Sequence, residues 1–219
     1  MTSQAVTTLP GSIGAARGES GAWPQVSALG AASDRRPRIA NAVLGMLIFL
    51  GAEAMFFAGL ISAFLVLRAG SLAWPPPDQP RLPVGITFAN TLVLLLSADT
   101  MRRALAAIRA GHLQALPRWL GATAMLGTAF LLVQGSEWLR LLGYGLRASS
   151  GPYGATFYTL IGCHGLHLLG GLIVLLAVLR SARRQRYTAH AHGAVEAARL
   201  YWYFVVGIWP ILYGLVYLS

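Results

Sequence analysis

The chain has 219 residues, 56% of them hydrophobic and 11% charged, with a formal net charge of +10. A soluble domain carries roughly 25% charged residues, so this composition excludes an ordinary soluble enzyme and reads as an integral membrane protein. The positive charge does not make a nucleic-acid surface, because most arginines flank apolar runs, and the single Cys163 excludes an internal disulfide or a multi-cysteine metal site.

All 17 basic residues are Arg, which reads as a codon-composition bias. Residues 1–39 are rich in Ala, Ser and Gly and hold no apolar stretch long enough for a signal-peptide core. They read as a disordered cytoplasmic tail. A helix that crosses a bilayer needs about 20 mainly apolar residues. Five segments qualify, at about 40–68, 84–109, 118–142, 154–180 and 196–218. The first connection, SLAWPPPDQPRLP, is too proline-rich to be helical throughout. The fold class is therefore all-α, an integral membrane bundle of five transmembrane helices over residues 40–219. No soluble domain, Gly-rich phosphate loop, polar Ser/His/Asp arrangement or internal repeat stands out.

Arginine placement sets the expected orientation. Of the 17 arginines, 13 fall in the N-terminal tail, around the loop after the second helix, and around the loop after the fourth. Only Arg68, Arg81, Arg140 and Arg147 fall on the other side. The N-terminus is expected in the cytoplasm and the C-terminus in the periplasm. Trp74, Trp119 and Trp138 fall where an aromatic belt is expected.

An ionisable side chain deep in lipid costs about 2.5–3.5 kcal/mol on insertion scales, so each such group calls for a partner. Asp99 precedes Arg102 and Arg103 by three and four residues, a local ion pair near the inner surface. Glu137 precedes Arg140 by three, and Gln134 extends that polar stripe inward. Asn90 lies in the second helix and Tyr203 in the fifth. Glu53 has no basic residue within a helical turn, so it is either protonated or bonded to another helix. The first and fourth helices run in opposite directions and carry Glu53, His164 and His167 near mid-depth. A contact of Glu53 with one of the two histidines would satisfy both groups.

Metal or haem ligation and proton handling are the alternatives for the histidines. A di-metal bundle site needs Glu-x-x-His motifs on facing helices, and no Glu stands three before either histidine. A second deep haem ligand is missing too, since His112, His190 and His192 fall in loops. Gly162, Gly165, Gly170 and Gly171 surround the pair, and small residues let membrane helices approach closely. This places the fourth helix at the centre of the bundle; Gly51 and Gly59 make the same argument for the first. Pro210 is expected to kink the fifth.

An ordered series of motifs resembles subunit III of the haem-copper terminal oxidases. FLGAEAMFFAGLISAFL resembles the first shared helix of that family, LPVGITFANTLVLLLSADTMRRA the next and LLVQGSEW the third. GATFYTLIGCHGLHLLGG is similar to its most distinctive stretch, and YWYFVVGIW stands where its last helix carries Trp-His-Phe-Val-Asp. The resemblance covers about 44–218 and fits the shorter type that lacks two N-terminal helices.

The resemblance implies a non-catalytic subunit of a bacterial inner-membrane oxidase in aerobic respiration. Such a subunit has no redox metal of its own, packs on subunit I, which carries haem and copper, and meets subunit II and phospholipid. It also implies that Glu53 supports proton uptake and that His164 and His167 belong to an internal polar network with Glu137, Gln134 and Asn90. Tyr203 and Val206 depart from the family's His and Asp. The departures point to a divergent branch, such as a quinol oxidase or the accessory subunit of a nitric oxide reductase. A small proton transporter and a haem cytochrome are rivals from other classes.

Overall fold

The computed structural model describes residues 38–77, 82–189 and 191–218. The tail expected over residues 1–39 lies outside them except for its last two positions, which open the first helix, and Arg81 and His190 lie outside as well. The described chain forms five long helices: α1 Arg38–Ala69, α2 Val84–Arg109, α3 Leu116–Gly143, α4 Pro152–Arg183 and α5 Gly193–Tyr217. All five are long and apolar enough to cross a membrane. Their ends fall within three residues of the apolar runs. The first turns of α3 and α4 hold a proline, which is tolerated there because its fixed φ suits that position and its missing N–H is not needed.

Helix α5 packs on α1, α2 and α4; α4 packs on α1, α3 and α5; α2 and α3 pack on each other. Helices α4 and α5 each touch three others and form the centre: 50% of the most apolar stretch of α5 and 39% of that of α4 are buried, whereas α1 has only 6% of its own buried. The glycines of α3 and α4 explain this. They do permit close approach, but what they admit is a set of aromatic rings. Gly127 and Gly171 face Trp202, Gly171 also faces Tyr201, and Gly162 and Gly165 face Trp138. Gly51 and Gly59 do not play the expected part, since a side chain at either would meet nothing within 4 Å.

Polar groups in a bilayer must be satisfied inside the protein, and here indoles and hydroxyls fasten α5 to α2. Trp202 Nε1 donates to Ser97 Oγ at 3.0 Å, Trp209 Nε1 to Thr91 Oγ1 at 2.8 Å, and Tyr213 Oη to the Val84 carbonyl at 3.1 Å. The α2–α3 seam is held by the Thr100–Thr123 hydroxyl pair at 2.8 Å and by Asn90 Nδ2 donating to the Phe130 carbonyl at 3.1 Å. Trp74 packs edge-on against Phe64 and Tyr153, which ties the α1–α2 connection to the start of α4. Trp119 lies under the Arg103 guanidinium, 5.1 Å from its ring centre.

Candidate functional site

Glu53 is the sixteenth of the 32 residues of α1, and His167 the sixteenth of the 32 residues of α4. Two antiparallel helices of equal length crossing the same slab bring their midpoints to one depth, and there the side chains meet. His167 Nε2 lies 2.7 Å from Glu53 Oε2. The other ring nitrogen, Nδ1, lies 2.7 Å from the Cys163 carbonyl one turn back. A carbonyl only accepts, so Nδ1 carries a proton. The contact with Glu53 then holds one further proton, shared between Nε2 and Oε2, and the pair is neutral as a unit on whichever atom that proton rests. Neither group leaves an isolated charge in a low-dielectric medium.

The surroundings hold this geometry. The Phe57 ring stands edge-on to the imidazole at 5.0 Å between centres, and Phe56 flanks it at 5.9 Å. Tyr201 Oη donates to the His167 carbonyl at 3.0 Å, and the Tyr201 ring reaches that point because position 171 on the same turn of α4 is glycine. Both nitrogens of His167 are engaged, so the ring has no free lone pair for iron or copper.

His164, one turn earlier, does not touch Glu53. Its side chain is 1% exposed, and its ring lies against Trp209 at 5.0 Å between centres. Neither of its nitrogens has a partner among the described residues. Gln134 Nε2 donates to Tyr217 Oη at 2.9 Å, and Glu137 Oε1 accepts from Arg140 Nη1 at 2.8 Å. The side chains of Asn90, Gln134, Glu137 and His164 are all buried. They form separate contacts on α2, α3 and α4 and not one chain of bonds with Glu53.

Towards the ends of the helices, Asp99 accepts from Arg102 Nη2 at 2.6 Å and from Arg103 Nε at 2.7 Å. Glu196 joins the start of α5 to the end of α2 through Arg109, at 2.6 Å, with His192 Nε2 at 3.4 Å. The Glu196 contact spans 87 positions, a separation with no local sequence signal. Tyr203 takes the Arg199 guanidinium over its ring at 5.3 Å, and Val206 is buried in the core. Among the described residues, no three His, Cys, Asp or Glu side chains converge as a metal-binding group.

A bundle of five membrane-length helices, with a mid-depth acid answered by an imidazole from another helix, defines a polytopic integral membrane protein. The comparison with known proteins makes this specific. Residues 35–219 match the family model described as cytochrome c oxidase subunit III. The cytochrome c oxidase subunit 3 of Synechocystis is 38% identical over 177 residues, covering 80% of this chain and 75% of the relative. The Thermostichus vulcanus subunit 3 is 38% identical over 177 residues, covering 80% of this chain and 86% of its own length. The Bacillus subtilis subunit 3 is 35% identical over 182 residues, covering 81% and 86%. The chain belongs to the cytochrome c oxidase subunit III family. It is a subunit III of a haem-copper terminal oxidase and a multi-pass protein of the bacterial inner membrane.

Proposed function

We propose that this chain packs against oxidase subunit I, with subunit II in the same complex, and that the Glu53–His167 pair supports proton uptake by the assembled enzyme. Haem and copper belong to subunit I; this chain contributes no catalytic centre. The observation that carries the reading is the 2.7 Å contact at mid-depth, where one proton is shared between a carboxyl group and an imidazole. The arginine-rich ends of α2 and α4 face the cytoplasm, from which protons are drawn, and sit among anionic headgroups. Phospholipid covers the outward face of α1, where Leu44, Ile48, Met55 and Val66 are exposed.

The test is purification of the oxidase through a tag on this chain. Haem-containing subunit I is expected to copurify, and a preparation free of haem overturns the assignment of partner. In reconstituted vesicles, Glu53→Gln is expected to keep oxygen consumption under uncoupled conditions and to lower the protons moved per electron. Unchanged proton movement in both Glu53→Gln and His167→Phe overturns the role given to the pair.

A further inference from the structure

Every acidic side chain among the described residues is already answered: Glu53 by His167, Asp99 by Arg102 and Arg103, Glu137 by Arg140, and Glu196 by Arg109 and His192. Arg199 is left without an acid. Unlike Arg68, Arg180 and Arg183, which stand in the last turn of their helices, it is the seventh residue of α5. The 25 residues of α5 make a rod of about 37 Å, which overreaches a hydrocarbon core of about 30 Å by a few ångströms at each end. Arg199 lies about 9 Å in from the first residue, just inside the hydrocarbon boundary.

A long cationic side chain at that level usually bends out to water. Here the guanidinium lies over the Tyr203 ring, 5.3 Å from its centre. Its Nε is covered and has no hydrogen-bond partner among the described residues, while Nη1 and Nη2 stay open. An anion therefore has to come to the terminal nitrogens. Tyr203 is also within electrostatic reach of Arg102 on α2. The bonds of Arg102 to Asp99 use Nε and Nη2, which leaves its Nη1 free. With Asp99 as the one acid among them, Arg102, Arg103 and Arg199 carry two positive charges in excess.

An open strip leads from this cation into the bilayer. From Tyr203 the same face of α5 continues through Gly207 and Ile211 to Gly214. A side chain at either glycine would meet nothing within 4 Å, and Ile211 is exposed. On one side of the strip Tyr201 and Phe204 meet Phe49 and Phe57 of α1. On the other, Trp202 and Trp209 bond to Ser97 and Thr91 of α2. Among the described residues α1 and α2 do not pack on each other, so the strip is the floor of an apolar trough between them.

We propose that this trough binds an anionic phospholipid of the cytoplasmic leaflet. Its phosphodiester sits on the terminal nitrogens of Arg199 and on Nη1 of Arg102, and one acyl chain runs past Tyr203 along Gly207, Ile211 and Gly214. Guanidinium and phosphate match in charge and in the geometry of paired N–H···O bonds. A carboxylate from a partner subunit would match the charge, but a helix would have to carry it into hydrocarbon. The bilayer brings its own phosphates to this level. The chain fills the gap beside α1, the least buried of the helices.

The experiment uses the intact oxidase complex in phosphatidylcholine nanodiscs with a trace of phosphatidylglycerol that carries a diazirine on one acyl chain; cross-links are mapped by mass spectrometry. Labelling is expected in the peptide that holds residues 207–214, about tenfold above that from a phosphatidylcholine probe with the same chain. Arg199→Gln is expected to lower it about tenfold, and Arg199→Lys to keep most of it. Tyr203→Phe, which keeps the ring, is expected to leave it unchanged. Gly207→Trp fills the trough and is expected to abolish labelling, whereas Arg118→Gln, at the start of α3, changes nothing. Haem content reports that each variant assembles. Equal labelling by the two probes, as for a merely hydrated guanidinium, overturns the proposal. So does labelling indifferent to both Arg199→Gln and Gly207→Trp, or displacement of the probe by excess inorganic phosphate. Labelling that appears only after Asp34→Asn, or a density map with a carboxylate on Arg199, overturns it too, because the anion is then supplied by protein.

Discussion

The indole of Trp202 occupies the place where a side chain at position 127 would lie: a Cβ added to Gly127 would come within 2.5 Å of Trp202 Cη2 and 2.8 Å of Cζ2. The ring has little room to retreat, because its Nε1 is held by Ser97 on α2 and its opposite edge faces Gly171 on α4. One indole thus sets the spacing of four helices.

Gly127→Ala is expected to force α3 away from α5 and to cost about 1–3 kcal/mol, the usual range for overpacking. Gly121→Ala, on the same helix with nothing within 4 Å, serves as the control. It is expected to be neutral or to gain up to about 1 kcal/mol from helix propensity. The thermal midpoint of the purified complex measures both, and equal behaviour of the two variants would refute the packing account.

The hydroxyl pair Thr100–Thr123, at 2.8 Å across the α2–α3 seam, is expected to matter much less than this packing. Side-chain hydrogen bonds between membrane helices average about 0.6 kcal/mol and rarely exceed about 1.7, because the unpacked helices find other partners. The two hydroxyl protons serve three contacts, the pair itself, Thr100 to the Ser97 carbonyl and Thr123 to the Trp119 carbonyl, so the bond across the seam competes with a backbone bond of one of its own helices. Thr100→Val should therefore lower the midpoint by less than Gly127→Ala. A larger drop would mean that polar staples, and not ring packing, hold the bundle.

Much of this architecture was legible in the residues. Long apolar runs separated by proline and arginine define the five spans, because a bilayer admits few other solutions. Matched depth likewise placed Glu53 opposite the histidines. Which histidine answers it was not legible. Positions 164 and 167 are about 60° apart around a helix, so the choice depends on how α4 is rotated about its axis, which its neighbours decide. That α5 shares the centre with α4 was not legible for a related reason. Glycines announce close approach but not what fills the space, and here Tyr201 and Trp202 come from α5 and Trp138 from α3. The indole bonds to Thr91 and Ser97 left no signal either, since threonine and serine in a membrane helix often bond only to their own backbone.

The link from Glu196 to Arg109 and His192 is expected to be weak and sensitive to salt. Arg109 is mostly exposed, and exposed ion pairs contribute about 0.2–1 kcal/mol. Glu196→Gln should lower the midpoint slightly in dilute buffer. The difference from wild type should vanish at about 1 M salt, where the screening length is about 3 Å. A difference that persists there would show that the pair is shielded from solvent in the assembled complex.

The pair at mid-depth makes the most demanding prediction. His167 Nδ1 is committed to the Cys163 carbonyl, so Nε2 is the only atom with which the ring can answer Glu53. His167→Phe keeps the ring contacts with Phe56 and Phe57 but leaves a carboxyl group alone among apolar side chains. The expected cost approaches the 2.5–3.5 kcal/mol, roughly, of an unpartnered ionisable group at depth. Glu53→Leu strands the imidazole and is expected to cost about 1–3 kcal/mol. Removing both should cost less than the sum, since neither partner is then stranded, and the coupling of contacting residues falls at about 0.5–3 kcal/mol. Glu53→Gln tests the proton directly. Its amide N–H donates to Nε2, so stability should be nearly kept, while the carboxyl or carboxylate infrared band assigned to this site disappears and no proton remains to be shared. Additive single and double variants would mean that the two groups are satisfied independently, by lipid headgroups, water or a partner subunit.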